Sequence, residues 1–238
     1  MLQARALCKS FGSLTVIDRV DFDVATAEAI GIVGPNGAGK TTLLNLLSGA
    51  LRPSGGQIRY HHRDILNHDA AARCRLGIGR SHQVPRPFVD MTVFENVLVA
   101  AQQGGTMSGA AAYRLSVDAL SACRMLDRAN RRAATLGLLD RKRLELARAL
   151  ATGPDLLLLD EIGGGLTDGE AGELVGIIQR LRQRGIAIVW IEHIVHILVQ
   201  VVDRLICMDA GRIIADGPPA AVLADQAVVS AYLGGSLA

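Results

Sequence analysis

One run of residues restricts the chain more than any other: Gly34-Pro35-Asn36-Gly37-Ala38-Gly39-Lys40-Thr41, which fits Gly-x-x-x-x-Gly-Lys-Thr in full. It lies between an apolar stretch at 28–33 and a helical pattern that starts at Lys40 and is ended by Gly49. A strand that runs through such a turn into a helix builds a phosphate cradle. Gly37 and Gly39 let the backbone curl so that successive N–H groups point into one concavity, and the helix aims its positive end at the same place. Lys40 adds a flexible cation for β and γ phosphates, and the Thr41 hydroxyl is a ligand for Mg²⁺. With Thr42, residues 34–42 form the expected nucleotide-binding set. A glycine-rich turn that matches by chance is the competing reading in a chain with 26 glycines, and the strand-before, helix-after context argues against it.

The rest of the chain supplies an α/β frame for that loop. Residues 2–8 and 20–24 alternate as half-buried antiparallel strands do, and 57–60 follows the turn at Gly55-Gly56 as another strand. Residues 91–103, 108–133 and 140–152 carry helical periodicity. Strand and helix then alternate again: strands at 156–159 and 186–191, helices at 169–183 and 193–201, a hairpin over 203–208 and 212–215, and a short-helical tail at 218–233. Apolar strands alternating with helices predict a mainly parallel sheet covered on both faces, with an antiparallel β edge. The expected division is an ATP-binding core, 1–84 with 153–238, and an inserted helical subdomain, 85–152.

Two more strand ends carry chemistry. The strand at 156–159 ends in Asp160-Glu161, and ligands in open α/β sheets bind outside the carboxyl ends of strands. Asp160 is placed to hold a Mg²⁺ shell and Glu161 to sit beside an attacking water; a solvated charged strand end is the bland alternative. His193 follows the strand 186–191 at the same rim, which favours a γ-phosphate contact over an ordinary surface histidine. His61, His62 and His68 fit no metal template and read as a polar loop.

Composition removes several function classes. The formal net charge of +2 gives no electrostatic footprint for wrapping nucleic acid. Cys8, Cys74, Cys123 and Cys207 have no Cys-x-x-Cys pairing, so a disulfide framework or zinc knuckle is not expected and reduced thiols in a cytosolic protein are. The opening residues lack a signal-peptide pattern, and no stretch approaches the roughly 20 apolar residues that cross a bilayer. If the chain serves a membrane process, another chain does the spanning.

Taken together, these pieces resemble the ATP-binding subunit of an ABC transporter. Several stretches are similar to its branched-chain (hydrophobic) amino acid uptake branch: 76–83, Arg86-Pro87-Phe88, Met91-Thr92-Val93-Phe94-Glu95-Asn96-Val97, 143–150 and the closing Ala231-Tyr232-Leu233-Gly234. The resemblance implies a P-loop NTPase (ABC-type) core that binds ATP and Mg²⁺ and hydrolyses ATP to drive import. It puts Phe11 where an aromatic stacks on adenine, although ordinary packing suits Phe11 equally. It makes Gln83 the glutamine that touches Mg²⁺ or water, Asp160 the magnesium-binding aspartate, Glu161 the catalytic glutamate and His193 the switch histidine. Residues 84–97 become the surface that receives a membrane subunit. Implied partners are two transmembrane permease subunits, a second ATP-binding subunit and, indirectly, an extracytoplasmic solute-binding protein, with the chain peripheral on the inner membrane face.

Two departures from the family pattern stand out. Where the family has Leu-Ser-Gly-Gly-Gln, this chain has Leu136-Gly137-Leu138-Leu139-Asp140, which adds bulk and negative charge. After Glu161, Ile162-Gly163-Gly164-Gly165-Leu166-Thr167-Asp168 replaces a proline-started loop, and three glycines in a row predict unusual mobility. Because the family sandwiches ATP between one subunit's phosphate loop and the other's signature, the altered signature implies a heterodimer with an unlike ATP-binding subunit, a homodimer being the alternative. Competing functions are a weakly hydrolysing regulatory clamp, a soluble ABC-type ATPase not tied to transport, and a small-molecule kinase, which leaves Gln83, Glu161 and His193 unexplained.

Overall fold

The computed structural model describes residues 1–234. The chain opens with β1 (Leu2–Phe11) and β2 (Leu14–Val24), then β3 (Ala29–Val33) and α1 (Lys40–Ser48). Next come β4 (Gly55–Tyr60), β5 (Arg63–Asp64), α2 (Ala70–Arg75) and β6 (Ile78–Arg80), followed by α3 (Val93–Gln103), α4 (Gly109–Ala122) and α5 (Leu138–Leu150). The last third holds β7 (Leu156–Asp160), α6 (Asp168–Gln183), β8 (Ala187–Ile191), α7 (Val195–Leu198), β9 (Arg204–Asp209), β10 (Arg212–Gly217), α8 (Pro219–Leu223) and α9 (Gln226–Gly234).

One sheet has the order β2-β1-β4-β5 and is antiparallel throughout. The other runs β10-β9-β3-β8-β7-β6 and is parallel from β9 to β6, with β10 returning as an antiparallel edge. Strands β3, β7 and β8 are buried at every residue, which is why they read as continuous apolar runs. Their side chains alternate between two cores. Leu157, Leu159, Ile188 and Trp190 join α5 and α6 residues such as Leu144, Leu174 and Ile178. Leu156, Leu158, Val189 and Ile191 join Leu43 and Leu44 of α1 and Leu7 and Phe22 of the antiparallel sheet. The parallel arrangement brings the carboxyl ends of β3, β6, β7 and β8 to one rim.

Two expected helices are shorter than their periodicity suggests. The pattern over 108–133 is helical only to Ala122, because Arg124 takes a left-handed φ of 57° that no α-helix continues through; short 3₁₀ turns follow at Leu126–Arg128 and Ala133–Thr135. The helix expected over 193–201 is the single turn Val195–Leu198. Helix α2 and strand β6 have no counterpart in the sequence reading. Helix α2 matters to the phosphate loop: its buried Arg73 donates to the Leu46 and Leu47 carbonyls at 2.6 and 2.9 Å, closing the carboxyl end of α1.

Candidate nucleotide site

The glycines of the loop after β3 are used where geometry demands them. Gly34 has φ 143°, and a Cβ there would lie 2.0 Å from the Met208 carbonyl oxygen. Gly39, at φ 99°, forms the left-handed entry to α1. Lys40 is buried and donates from Nζ to the Gly34 and Pro35 carbonyls at 2.7 and 2.9 Å, so its ammonium is held over the loop. Burial pulls its pKa below the ordinary lysine value. A cleft of about 230 Å³ opens here, lined by Val16, Asn36, Gly37, Ala38, Gly39, Lys40, Thr41, Thr42 and Glu161.

Asp160, at 3% exposure, lies across from the first turn of α1, and the Thr41 hydroxyl donates to its Oδ1 at 3.4 Å. Burial pushes its pKa up, and Arg80 pulls it back. Arg80 donates to Asp160 Oδ2 at 3.2 Å and to Asn45 Oδ1 and Ser48 Oγ at 2.5 and 2.9 Å, tying β6, α1 and β7 together. The facing oxygens of Thr41 and Asp160 suit a hard cation such as Mg²⁺, which they would hold beside the phosphate loop.

The structure brings Gln83, Glu161 and His193 together. Glu161 Oε2 accepts from Gln83 Nε2 at 2.5 Å, and Oε1 lies 2.7 Å from His193 Nε2. Glu161 itself has φ 47° and donates its N–H to the Ile191 carbonyl at 2.9 Å. Strain of this kind at a non-glycine residue concentrates at functional sites. Phe11 stands apart from this group. It is 48% exposed at the end of β1, with Lys9 Nζ 4.8 Å above its ring, while Val16, which the sequence did not single out, lines the cleft.

The three-glycine loop is tethered rather than loose. Gly163 N–H donates to Glu192 Oε1 at 2.5 Å, Gly164 N–H to the Glu161 carbonyl at 3.3 Å, and Thr167 and Glu170 close a capping box on α6. Burial raises the Glu192 pKa. Lys142 of α5 reaches the Glu161 carbonyl at 3.5 Å. Arg80 and Glu192 carry no sequence signal because each is a lone charge in a mostly apolar stretch, and Lys142 carries none because it lies in the charged run Asp140-Arg141-Lys142-Arg143.

Comparison with known proteins places the fold and loop in a family. Residues 17–163 match the ABC transporter family model, and residues 212–238 match that of the branched-chain amino acid ATP-binding cassette transporter. The chain belongs to the ABC transporter family. The high-affinity branched-chain amino acid transport ATP-binding protein LivG of Salmonella typhimurium is 34% identical over 98% of each chain. The lipopolysaccharide export system ATP-binding protein LptB of Acidithiobacillus ferridurans is 33% identical over 98% of this chain and 97% of its own. An ABC transporter cassette solved in its ADP conformation superposes with a TM-score of 0.89 at 30% identity, covering 98% of both chains. This ABC ATPase therefore has the expected P-loop NTPase core. Its departing signature segment starts α5, where Gly137 is the N-cap with no side-chain cap hydrogen bond. Asp140 is not a free charge there: it pairs with Arg128 and lies 3.6 Å from Arg143.

Proposed function

We propose that this ABC ATPase is the subunit that energises a membrane importer for branched-chain or related hydrophobic amino acids. The observation that carries the catalytic reading is the meeting of Gln83, Glu161 and His193 beside the lysine-capped loop. Support for the solute class comes from the branched-chain family model at 212–238 and from LivG.

In this reading residues 34–42 cradle the phosphates, Lys40 moves from the loop carbonyls to the β and γ oxygens, and Thr41 and Asp160 would hold Mg²⁺, which would supply positive charge to the phosphate oxygens. Glu161 takes a proton from water as the water oxygen bonds to the γ-phosphorus and the bridge to the β-phosphate breaks, releasing ADP and phosphate. Gln83 and His193 hold the glutamate carboxylate in line, His193 facing the γ-phosphate, and Phe11 borders the base. Residues 85–152 form the helical subdomain and residues 84–97 its docking surface. Exposed Val84, Phe88, Val89 and Met91 support that assignment, since such apolar groups gathered on one segment mark interaction sites. The partners are two permease subunits and an unlike ATP-binding subunit, with the solute-binding protein acting through them. The chain sits peripherally on the inner membrane face, and among the described residues no helix is long and apolar enough to cross a bilayer.

Identity to LptB favours a second reading, an export ATPase. Purifying the tagged chain from gently solubilised membranes separates the two by the substrate class of the co-purifying complex. Recovery of the chain without any membrane subunit sinks both. In the purified complex, Glu161→Gln is expected to lower phosphate release at least about 100-fold with MgATP binding retained; a variant that turns over normally removes Glu161 from the role of base.

A further inference from the structure

Gly34, where β3 becomes the phosphate loop, is held from three sides. Its Cα is wedged against the Met208 carbonyl, and its own carbonyl accepts from Lys40 Nζ at 2.7 Å. Its N–H lies one residue beyond Val33, the last β3 residue paired with β9. It donates instead to the Tyr232 hydroxyl at 2.8 Å, across 198 residues of chain. Partial burial raises the pKa of that hydroxyl while the Gly34 N–H opposes the rise, and Tyr232 as a whole is 43% exposed.

The helix that carries Tyr232 has few other attachments. Among the described side chains of α9, Val228 is the one that is buried, and among the described residues the Tyr232 hydroxyl makes the one hydrogen bond from an α9 side chain to the rest of the protein, Asp225 accepting from the Ala227 N–H just outside the helix start. Helix α9 is thus docked by an apolar contact and by a bond that ends on the phosphate loop. Two peptide groups meet at Gly34, one gripped by α9 and the next by the lysine that must reach the nucleotide.

We propose that Tyr232 is a positioning residue for nucleotide: through its hydroxyl, α9 acts as a strut that fixes the Gly34 peptide and with it the resting place of Lys40. The inference rests on the nucleotide site described above. It extends that site to the carboxyl-terminal helix, which lies in the segment matched by the branched-chain family model. Thermodynamic linkage makes the coupling mutual. A docked α9 strengthens nucleotide binding, and a filled loop holds α9 down by the same factor. A partner that lifts α9 from the sheet loosens the ATP site without touching it.

The test uses the full chain, with MgADP and a fluorescent ADP analogue as probes. Tyr232→Phe removes one oxygen and keeps the ring; Tyr232→Ala removes both. Loss of an acceptor from a buried N–H is expected to weaken binding about fivefold to thirtyfold in Tyr232→Phe, with Tyr232→Ala falling within about threefold of it. The unfolding midpoint of the nucleotide-free Phe variant should stay within about 4 °C of native. Hydrogen exchange in 226–234 should slow on adding MgADP to the native chain and not to the Phe variant. Native-like affinity in Tyr232→Phe, or nucleotide protection of 226–234 that survives the substitution, overturns the strut. Lys40→Ala separates the two claims. If it abolishes binding while Tyr232→Phe binds normally, the site stands and the strut falls; if Lys40→Ala binds like the native chain, the site itself is wrong.

Discussion

At the scale of single residues, the Arg80–Asp160 pair shows how burial and charge compete. Both side chains are desolvated, which raises the aspartate pKa and lowers that of the arginine. Removing one partner of a buried pair leaves the other charge uncompensated, a loss of about 3–5 kcal/mol. Arg80→Met should therefore lower the unfolding midpoint by about 6–20 °C at pH 8. The pH dependence has a definite sign. A carboxyl whose folded pKa lies above its unfolded value of 3.8 binds more protons in the native state, so its contribution to stability is greatest at low pH and falls as pH rises through that window. Without Arg80 the folded value rises further and Asp160 holds its proton to higher pH. The variant's deficit should then be smaller at pH 5 than at pH 8. Equal deficits at the two pH values in thermal melts would show that the loss comes from the Asn45 and Ser48 bonds and not from the stranded carboxylate.

At the scale of elements, the sequence made some things plain and hid others for physical reasons. Strands β3, β7 and β8 are legible because a strand buried on both faces is apolar along its run, with Asp160 at the carboxyl end of β7 the exception that carries the site. The phosphate loop was legible because its backbone shape demands glycine. Strand β6, Ile78–Arg80, is too short for any alternation to show, and the break after α4 hides in one left-handed arginine amid helix-forming neighbours. The glycine loop after Glu161 carries a tether that composition does not show, because composition reports freedom in the unfolded chain and says nothing of Glu192, brought there by a different strand. Its glycines are consequently not equivalent. A Cβ at Gly163 would lie 2.8 Å from Glu192 Oε1, whereas one at Gly164 meets nothing nearer than 3.5 Å. Gly163→Ala is expected to cost about 1–2 kcal/mol by displacing the Glu192 carboxylate and to slow phosphate release through the adjoining Glu161. Gly164→Ala should stay within about 0.5 kcal/mol of native. Denaturant titration and single-turnover hydrolysis of the pair check this; equal behaviour of the two variants rules out the Glu192 tether.

At the scale of the whole molecule, the proposed ATP sandwich would draw on two surfaces of this chain that are of unequal quality. In the proposed reading the half built on Lys40 has its parts at hand, with Thr41 against Asp160 and Gln83, Glu161 and His193 in one cluster. The half at the start of α5 does not. Leu138 there is 46% exposed, Leu139 stands where the family pattern has a small residue, and Asp140 is engaged by Arg128 and Arg143 instead of leaving the helix end open to phosphate. Arginine pairing offsets the aspartate's charge, so steric bulk is the larger obstacle. A homodimer would meet that obstacle at both sites, whereas an unlike partner with a sound signature would complete the Lys40 site and leave only the partner's own site impaired. The chain alone should accordingly hydrolyse ATP slowly, and Leu139→Gly with Asp140→Gln should raise its turnover at least about tenfold, a transition-state gain of about 1.4 kcal/mol. The gain should vanish when Glu161→Gln is added, which ties it to the Lys40 site. If the native chain alone already turns over as fast as the double variant, its signature is competent as it stands and the argument for an unlike pair fails.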